Sequence, residues 1–600
     1  MPRPIPRRSS WLRPAPVQPG SPRRRSRENS CPPGLPKRKS QSRPPPRLRA
    51  RPGPVQGPAR VSLRNGFLCL QSYQPASIER PAVQDSSLPP PLARLPARCL
   101  AAALLYITAF PPFDLSWAAL LAPAPLALLL LDPARPLRPW HAALAGLLFG
   151  WAFALGGTGA WIAQAALRYF EVGGAEAAAL AIGFTGLHVA LFTALLALFA
   201  SRLHPLSPIA RVVAFAFTWT AWDFARASLL GGNPWGLLGQ AFHDLPSSYA
   251  LIRLGGTWLP GWLAAAFGGA LAVTWIENQR LDQALRSAAV AGAVLVVFVL
   301  SALVGLPAAD EQGLSPLKVA VIQPGLGQHD LWDPAKKSSH LDLQLELSRR
   351  PELADARLIV WPEAAIPRFF DASSKQRVEE LARQQNAAVL LGSVRNEDRG
   401  DGRAHLYNSA YFFDPAVGEW KVYDKMRLLQ WMEYRPGWLP GANPLDYLPG
   451  SKRVLFELDG WSIAPLICFE AVFAGASRSA ARAGADLLVN LSNDSWFDAG
   501  AGRLQHLAFT TPRTVENGLP LLRSTTTGSS VLLAADASLA GSLRPGSARV
   551  GLFVVQPGPG PGPYSLGGDW LPWLSVLLML AALGAAAQKK RPAAYAADRQ

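Results

Sequence analysis

A bundle of about eight membrane-crossing α-helices joined to one α/β domain is the fold class that the sequence predicts. Three observations predict it. Only 17% of the 600 residues are charged, against 49% hydrophobic, whereas a soluble globular chain carries about 25% charged residues. Most of eight apolar runs approach the roughly 20 residues that a helix needs to cross a bilayer, the first, ending at Pro111-Pro112, being short. Between the seventh and the eighth run, β-rich segments alternate with helical periodicity, which is the pattern of an α/β domain. The composition excludes a wholly disordered chain, a collagen and a disulfide scaffold.

The first element is a basic tail, assigned to residues 1–94. Residues 1–60 hold sixteen Lys and Arg, sixteen Pro and a single acidic residue, Glu28. The net charge of +18 therefore sits almost entirely in this tail, and the rest of the chain carries 43 basic against 40 acidic residues. Such a segment buries too little apolar surface to offset its chain entropy. It reads as a disordered, solvated cytoplasmic extension, and no nucleic-acid partner is expected. It does not read as a signal peptide, since no apolar stretch follows its charges before about residue 99.

Seven apolar runs follow, near 95–111, 115–131, 140–166, 176–200, 208–226, 248–276 and 286–306, and an eighth spans 570–587. With the tail in the cytoplasm, every even-numbered connection faces the same side. Those connections carry Arg135 and Arg138, Arg202 and Arg211, and Arg280 and Arg286, and the chain end carries Lys589-Lys590-Arg591. The positive-inside rule thus supports eight helices with both termini inside. The expected domains are a seven-helix membrane part over 95–307, an extracytoplasmic domain over 308–568, a last helix over 569–588 and a cytoplasmic end over 589–600. Asp114, His188, Asp223 and Arg226 fall near span ends, where snorkelling explains them. The segment Gly231-Gly232-Asn233-Pro234-Trp235 reads as an outer interfacial loop, with Trp235 as a membrane anchor or, alternatively, a lipid contact.

In the domain, strands are expected at 317–323, 356–361, 388–394, 462–468, 485–491 and 521–534, and antiparallel hairpin strands at 407–424 and 453–459. Helices are expected at 338–350, 374–385, 471–482 and 503–517. A mixed sheet covered by helices is the simplest arrangement. Gly558 to Gly562 reads as a linker to the last helix.

Cys468 is the one cysteine of this domain. It ends an apolar strand and precedes a helical run, a setting in which a helix N-terminus stabilises a thiolate. A small buried hydrophobe is the alternative role. A cysteine nucleophile needs a base and an electrophilic partner. His329, His340, His405 and His506 have no setting that singles one out. Glu363, after the strand in LIVWPEAAIP, is a carboxylate whose partial burial suits a base. Lys425, in VYDKMRLL, also follows a strand and suits stabilisation of an oxyanion.

WPEAAIP, YDKMRL and LICFE, in this order, resemble the three motif regions of the carbon–nitrogen hydrolase (nitrilase) superfamily. With the flanking helices, the chain resembles the apolipoprotein N-acyltransferase family, the membrane-embedded branch of that superfamily, from about residue 95 to 588. AFPPFDLSW, GGTGAWIA, NPWGLLGQAF, VIQPGLGQHDLWDP, YNSAYFF, LVNLSNDSWF and LQHLAFTTPRTVENGLPLLRST carry the likeness outside the triad motifs. The resemblance implies a nitrilase-like αββα sandwich. It also implies a Glu–Lys–Cys triad with Glu363 as general base, Lys425 on the oxyanion and Cys468 as nucleophile. Glu433 and Glu470 match supporting acidic positions, and Trp332 and Trp496 match aromatic positions near the site. Phe469 stands where the family commonly has Tyr, and Gln430-Trp431-Met432 stands where it tends to have Pro-Phe-Gly.

The resemblance further implies a two-step acyl transfer. A membrane phospholipid is the donor, the free α-amine of a diacylglyceryl-cysteine apolipoprotein is the acceptor, and the place is the bacterial cytoplasmic (inner) membrane. No cofactor and no metal are implied, and a monomer is expected. The stretch 431–440, with Trp431 and Trp438, is a candidate lid over the thioester. The alternative is a membrane-tethered amidase or nitrilase acting on a small amide.

Overall fold

The computed structural model describes residues 91–597 except 170–172, 308–312, 401–403, 431, 435–446 and 498–499. These residues belong to one compact unit. The basic tail lies outside the described residues.

Each of the eight apolar runs contains helix. The helices are Pro91–Thr108, Ala118–Leu121 with Pro123–Leu130, Pro139–Phe153, Ala160–Tyr169, Gly174–Thr185, Leu191–Ala200, Pro208–Ser228, Tyr249–Gly255, Trp258–Ile276, Leu281–Leu303 and Trp570–Ala597. Among the described residues, five helical stretches are long and apolar enough to cross a membrane: Pro139–Thr158, Gly174–Ala200, Trp258–Ile276, Leu281–Leu303 and Trp570–Lys589. Two of these five contain a π-helical turn, Ala154–Thr158 and Gly186–Ala190. Small residues let the helices that carry these turns approach closely. A Cβ on Gly146 would lie 2.2 Å from the Thr193 carbonyl oxygen, and the Thr193 hydroxyl donates to the Gly146 carbonyl at 2.8 Å.

Two arginines depart from expectation. Arg211 is buried rather than free in a loop. It pairs with Glu277 and donates to the Leu131 carbonyl at 2.9 Å, which ties three helices together. Arg226 does not snorkel. Its side chain is 2% exposed and donates to the carbonyls of Trp235 and Gly236, both at 2.9 Å, with Asp223 at 3.7 Å. A buried guanidinium is tolerable only when its charge and donors are matched in this way.

The α/β domain holds two mixed sheets, where reading strand by strand suggests one. The first contains β1 (Leu317–Gln323), β2 (Leu358–Val360), β3 (Ile366–Phe369), β4 (Ala388–Glu397), β5 (His405–Phe413) and β6 (Trp420–Asp424). The second contains β7 (Phe456–Leu458), β8 (Trp461–Ile467), β9 (Leu487–Ser492), β10 (Leu521–Thr525), β11 (Val531–Leu533) and β12 (Leu539–Ser542). The last strand, β13 (Arg549–Val555), returns to pair antiparallel with β1. The orders are β13-β1-β2-β4-β5-β6, with β3 beside β4, and β12-β11-β10-β9-β8-β7. Alternation along each strand assigns the faces. Val319, Val321, Val360 and Leu390 of the first sheet meet Ile463, Ile467, Val489 and Leu491 of the second in one core. Ala320, Ile322, Ile359 and Leu391 point the other way, onto a second core with Leu341 and Leu345 of the helix Lys337–Ser348 and Val378 and Leu381 of the helix Ala372–Gln385. Ala464, Leu466 and Leu488 pack on Ala476 and Ala480 of the helix Ala474–Arg482. The result is four layers, α, β, β and α. The helical run expected at 503–517 is two helices, Ala501–Thr510 and Pro512–Asn517.

Polar contacts fix the domain on the helices. Arg478 pairs with Asp569 at 2.5 Å, the Trp258 indole donates to Asp569 at 2.9 Å, and the Thr257 N–H donates to the buried Glu516 at 3.1 Å. The Gly558 to Gly562 stretch is packed rather than loose, since the Gly560 N–H bonds the Gly518 carbonyl and Arg253 bonds the Gly560 carbonyl.

Replacing Arg226 with Met leaves two buried carbonyls without a donor, at about 1–3 kcal/mol each. The thermal midpoint of the purified protein in detergent is expected to fall clearly. Arg135→Met, at an exposed position, is expected to leave it unchanged.

Candidate active site

β2 of the first sheet and β8 of the second each run parallel to strands of their own sheet, and the residues after their C-terminal ends line one cavity, where ligands bind in α/β sheets. Cys468 directly follows β8 and opens the 3₁₀ turn Cys468–Val472 with φ +51. This left-handed conformation is strained for a residue with a Cβ and persists only where its surroundings impose it. Asn490 Nδ2 supplies part of that constraint, donating to the carbonyls of Leu466 at 2.9 Å and Cys468 at 3.2 Å. Glu470 supplies more. Its carboxylate is fully buried and accepts from the Ile467 N–H at 2.8 Å, the Met426 N–H at 2.8 Å, the Arg427 N–H at 3.0 Å and the Tyr423 hydroxyl at 2.9 Å. One carboxylate therefore ties the end of β8 to the segment after β6 that carries Lys425.

Glu363 follows β2 and is 6% exposed. Its Oε1 accepts from Asn408 Nδ2 at 2.8 Å and its Oε2 from the Asn493 N–H at 2.8 Å. Its backbone lies against Gly392, where a Cβ would come within 2.7 Å of the Glu363 Cα. Lys425 is 1% exposed, and its Nζ lies 2.8 Å from Glu433 Oε1 and 3.6 Å from Glu363 Oε1. Asn408 Nδ2 also donates to Glu433 Oε1 at 2.8 Å, and the Leu429 N–H to Oε2 at 2.7 Å. Glu363, Lys425, Glu433 and Cys468 thus share one cavity, with Glu470 holding two of its walls together.

The electrostatics correct the expected thiolate. Burial, and then the Glu363 carboxylate, push the Cys468 thiol well above its ordinary value. Burial also raises Glu363, against the pull of Lys425. For Lys425 burial works downward, but Glu433 and Glu363 outweigh it and hold the ammonium charged. These shifts favour the neutral thiol of Cys468, and the 3₁₀ turn that it opens does not offset them.

The cavity measures about 700 Å³ and reaches from Glu363, Lys425 and Cys468 to Ala154, Thr158, Ile162, Phe184 and Val189 of the membrane part. Both π-helical turns contribute to that apolar end. Trp235 is 6% exposed and forms part of the wall, not an anchor in the membrane surface. It stacks on Phe469 at 6.1 Å and Phe497 at 5.8 Å, and its indole donates to Gln505 at 3.1 Å. Those partners lie far away in sequence. Trp496 also lines the cavity. Trp332 ends the helix Gln328–Trp332, while its side chain, with Trp431 and Trp438 of the candidate lid, lies outside the described residues. Among those residues no cluster of His, Cys, Asp and Glu has the makings of a metal site.

Sequence reasoning passed over Asn408, Asn493 and His506. The two asparagines left a trace, as polar residues in or beside otherwise apolar strands. His506 left none, because its partners Asp494 and Arg523 identify it only once folded.

Two sheets back to back, with Glu, Lys and Cys converging at their strand ends, define a carbon–nitrogen hydrolase domain, and residues 318–551 match the carbon-nitrogen hydrolase family. Residues 102–270 match the apolipoprotein N-acyltransferase N-terminal domain. The chain is similar to the apolipoprotein N-acyltransferase of Geobacter metallireducens, 31% identical over 61% of this chain and 73% of that one. With that of Brucella melitensis it shares 32% identity over 72% and 84%, and with that of Pseudomonas syringae 31% over 72% and 85%. Among solved structures, an amidase from Nesterenkonia sp. covers 44% of this chain and 96% of its own at 17% identity and TM-score 0.32. The chain belongs to the apolipoprotein N-acyltransferase family. It is accordingly an acyltransferase bound to a bacterial membrane.

Gly392→Ala forces the Glu363 backbone to move. A displacement of about 1 Å at a catalytic group can cost about 100-fold in rate. Acyl transfer is expected to fall by about that factor while circular dichroism stays unchanged.

Proposed function

We propose that this enzyme moves a fatty acyl chain from a membrane phospholipid to the free α-amine of a diacylglyceryl-cysteine apolipoprotein. The observation that carries the proposal is the single cavity that joins Cys468 to the membrane helices. Both substrates hold their chains in the bilayer, and exposing a chain to water costs about 0.8 kcal/mol per CH₂. A reaction centre open to apolar helices avoids that cost.

Glu363 takes the proton of the Cys468 thiol as Sγ attacks an ester carbonyl of the phospholipid. Lys425 donates to the oxygen that becomes negative in the tetrahedral intermediate. When the intermediate collapses, Glu363 returns the proton to the departing glycerol oxygen. A lysophospholipid leaves, and a thioester on Cys468 remains. The α-amine then attacks the thioester carbonyl and gives a proton to Glu363, which passes it to the departing thiolate. An amide forms and the thiol is restored, a ping-pong cycle. Glu433 holds the Lys425 ammonium throughout, and Glu470 fixes Lys425 relative to Cys468. Trp235, Phe469 and Trp496 form the wall against lipid.

The positive-inside pattern supports eight spans with both ends in the cytoplasm. The domain of residues 308–568 then faces away from it, at the inner membrane. One chain completes the site, so a monomer suffices.

The test incubates the purified protein with phospholipid and a diacylglyceryl-cysteine lipopeptide bearing a free amine, with Cys468→Ala beside it. The peptide is expected to gain the mass of one acyl chain, and the variant is expected to give none. No gain with the wild-type protein contradicts the proposal.

The pH dependence carries a sign. Glu363 must be ionised to act, and its value is raised, so acyl-enzyme formation is expected to decline as pH falls through a point above the ordinary 4.5. The Glu433 charge contributes to that rise. Glu433→Gln is therefore expected to shift the acid limb of the pH–rate profile downward, whatever its effect on the maximum rate.

A further inference from the structure

A second cavity lies away from the catalytic one. It measures about 340 Å³ and opens between the helix Leu191–Ala200 and the last helix, Trp570–Ala597. Leu198 and Phe199 form one wall, and Leu583, Ala586 and Ala587 form the other. Trp222 holds Phe199 from behind, with the two rings 5.2 Å apart. The gap stays open because Ala586 and Ala587 have no side chain large enough to close it. Arg202, just past the end of the first helix, completes the lining. Two stretches able to cross a membrane, Gly174–Ala200 and Trp570–Lys589, both end beside this groove. It therefore sits at the edge of the apolar layer, where lipid headgroups lie. The two cavities share no lining residue. The stretch Gly174–Ala200 gives Val189 to the catalytic cavity and Leu198 to the groove, about 13 Å further along a helix.

Charge identifies the occupant. The Arg202 guanidinium is exposed and has no hydrogen-bond or ion-pair partner among the described residues. Lys589 is exposed too and stands three residues after Ala586, on the same face of the last helix. The sequence continues with Lys590 and Arg591, and no Asp or Glu lines the groove. The chain's own tail offers no counter-charge, because residues 1–60 are themselves basic. The neutralising anion has to come from outside the chain, and the apolar walls require it to carry hydrocarbon. An arginine binds phosphate through a fork of donors, and basic pockets between membrane helices hold anionic lipid headgroups. We propose that the groove holds an anionic phospholipid, with a chain against Leu198, Phe199 and Leu583 and the phosphate on Arg202. Lys589 adds attraction for a headgroup of net negative charge. With the topology proposed above, this lipid belongs to the cytoplasmic leaflet, opposite the catalytic domain. It fills the gap beside the last helix as a structural lipid and is not the acyl donor.

The test uses the full-length protein in detergent, freed of co-purified lipid. Diether phosphatidylglycerol or diether phosphatidylcholine is added at equal concentration, and bound lipid is counted by native mass spectrometry. Diether lipids have no ester to acylate Cys468, so binding is read apart from turnover. The wild type is expected to retain phosphatidylglycerol in preference to phosphatidylcholine. Arg202→Gln is expected to weaken phosphatidylglycerol binding about 5-fold, the scale of one basic residue at an anionic surface, and to leave phosphatidylcholine unchanged. Ala587→Phe, at an exposed position, plugs the groove and is expected to remove the preference. Equal retention of both lipids by the wild type overturns the inference, and this arm needs no variant to fold. Phosphatidylglycerol binding unchanged by either substitution also overturns it. A wild-type dimer that Ala587→Phe dissociates assigns the groove to a second copy of the chain and overturns it as well. None of these outcomes bears on the acyl-transfer reading, whose cavity shares no residue with the groove.

Discussion

One buried ammonium shared by two buried carboxylates is the constraint on which the rest of the site depends. Lys425 has almost no contact with water, and its charge is matched by Glu433 at 2.8 Å and Glu363 at 3.6 Å. Two ionised carboxylates around one cation leave an excess negative charge in a poorly solvated cavity. Glu363 is the less closely paired of the two, and its burial, more than the Glu433 charge, raises it toward the proton against the pull of Lys425. Burial first, and then the Glu363 charge, raises the neighbouring thiol. In the proposed cycle, the raised Glu363 carboxylate, the Cys468 thiol and the fixed Lys425 ammonium exchange one proton as the reaction proceeds.

That balance needs fixed distances, and the fold supplies them from both sheets. Asn408 spans the two carboxylates with one amide nitrogen. Glu470 binds the end of β8 and the segment after β6 as if they were one element. The left-handed Cys468 is held by Asn490, which is in turn held by Arg523 and Asp494. On the open side, Trp235 and Phe469 join the chemistry to the apolar space between helices. Arg226 secures the loop that presents Trp235, by binding the carbonyls of Trp235 and Gly236. A polar centre and a lipid-accepting space thus meet at a wall of aromatic rings.

Features governed by local pattern were legible in the sequence. The run 317–323 became β1 at those limits, because an uninterrupted apolar β-rich stretch has few other uses. The strand-end positions of Glu363, Lys425 and Cys468 were legible for the same reason. Arg226 was misread, and the two roles open to Trp235, anchor or lipid contact, could not be told apart, because both residues depend on partners elsewhere. The indole finds Gln505 some 270 residues away, and the guanidinium finds carbonyls of an irregular loop. The second sheet was not legible strand by strand, since period-two alternation tells which residues are buried but not which layer buries them. The depressed thiol pKa expected from a strand-to-helix turn failed because burial and the Glu363 charge outweigh a 3₁₀ turn's small dipole.

The proposed cycle requires Cys468 to be a neutral thiol at rest and to lose its proton to Glu363 only as it attacks. The most direct measurement is the pH dependence of alkylation of Cys468 by iodoacetamide, in the wild type and in Glu363→Gln. Slow alkylation is expected throughout the neutral range, with no plateau of a preformed thiolate, and a further loss of rate when Glu363 is replaced. A thiolate that titrates below neutral pH, with reactivity unchanged by Glu363→Gln, would contradict it and assign activation to a resting ion pair with Lys425.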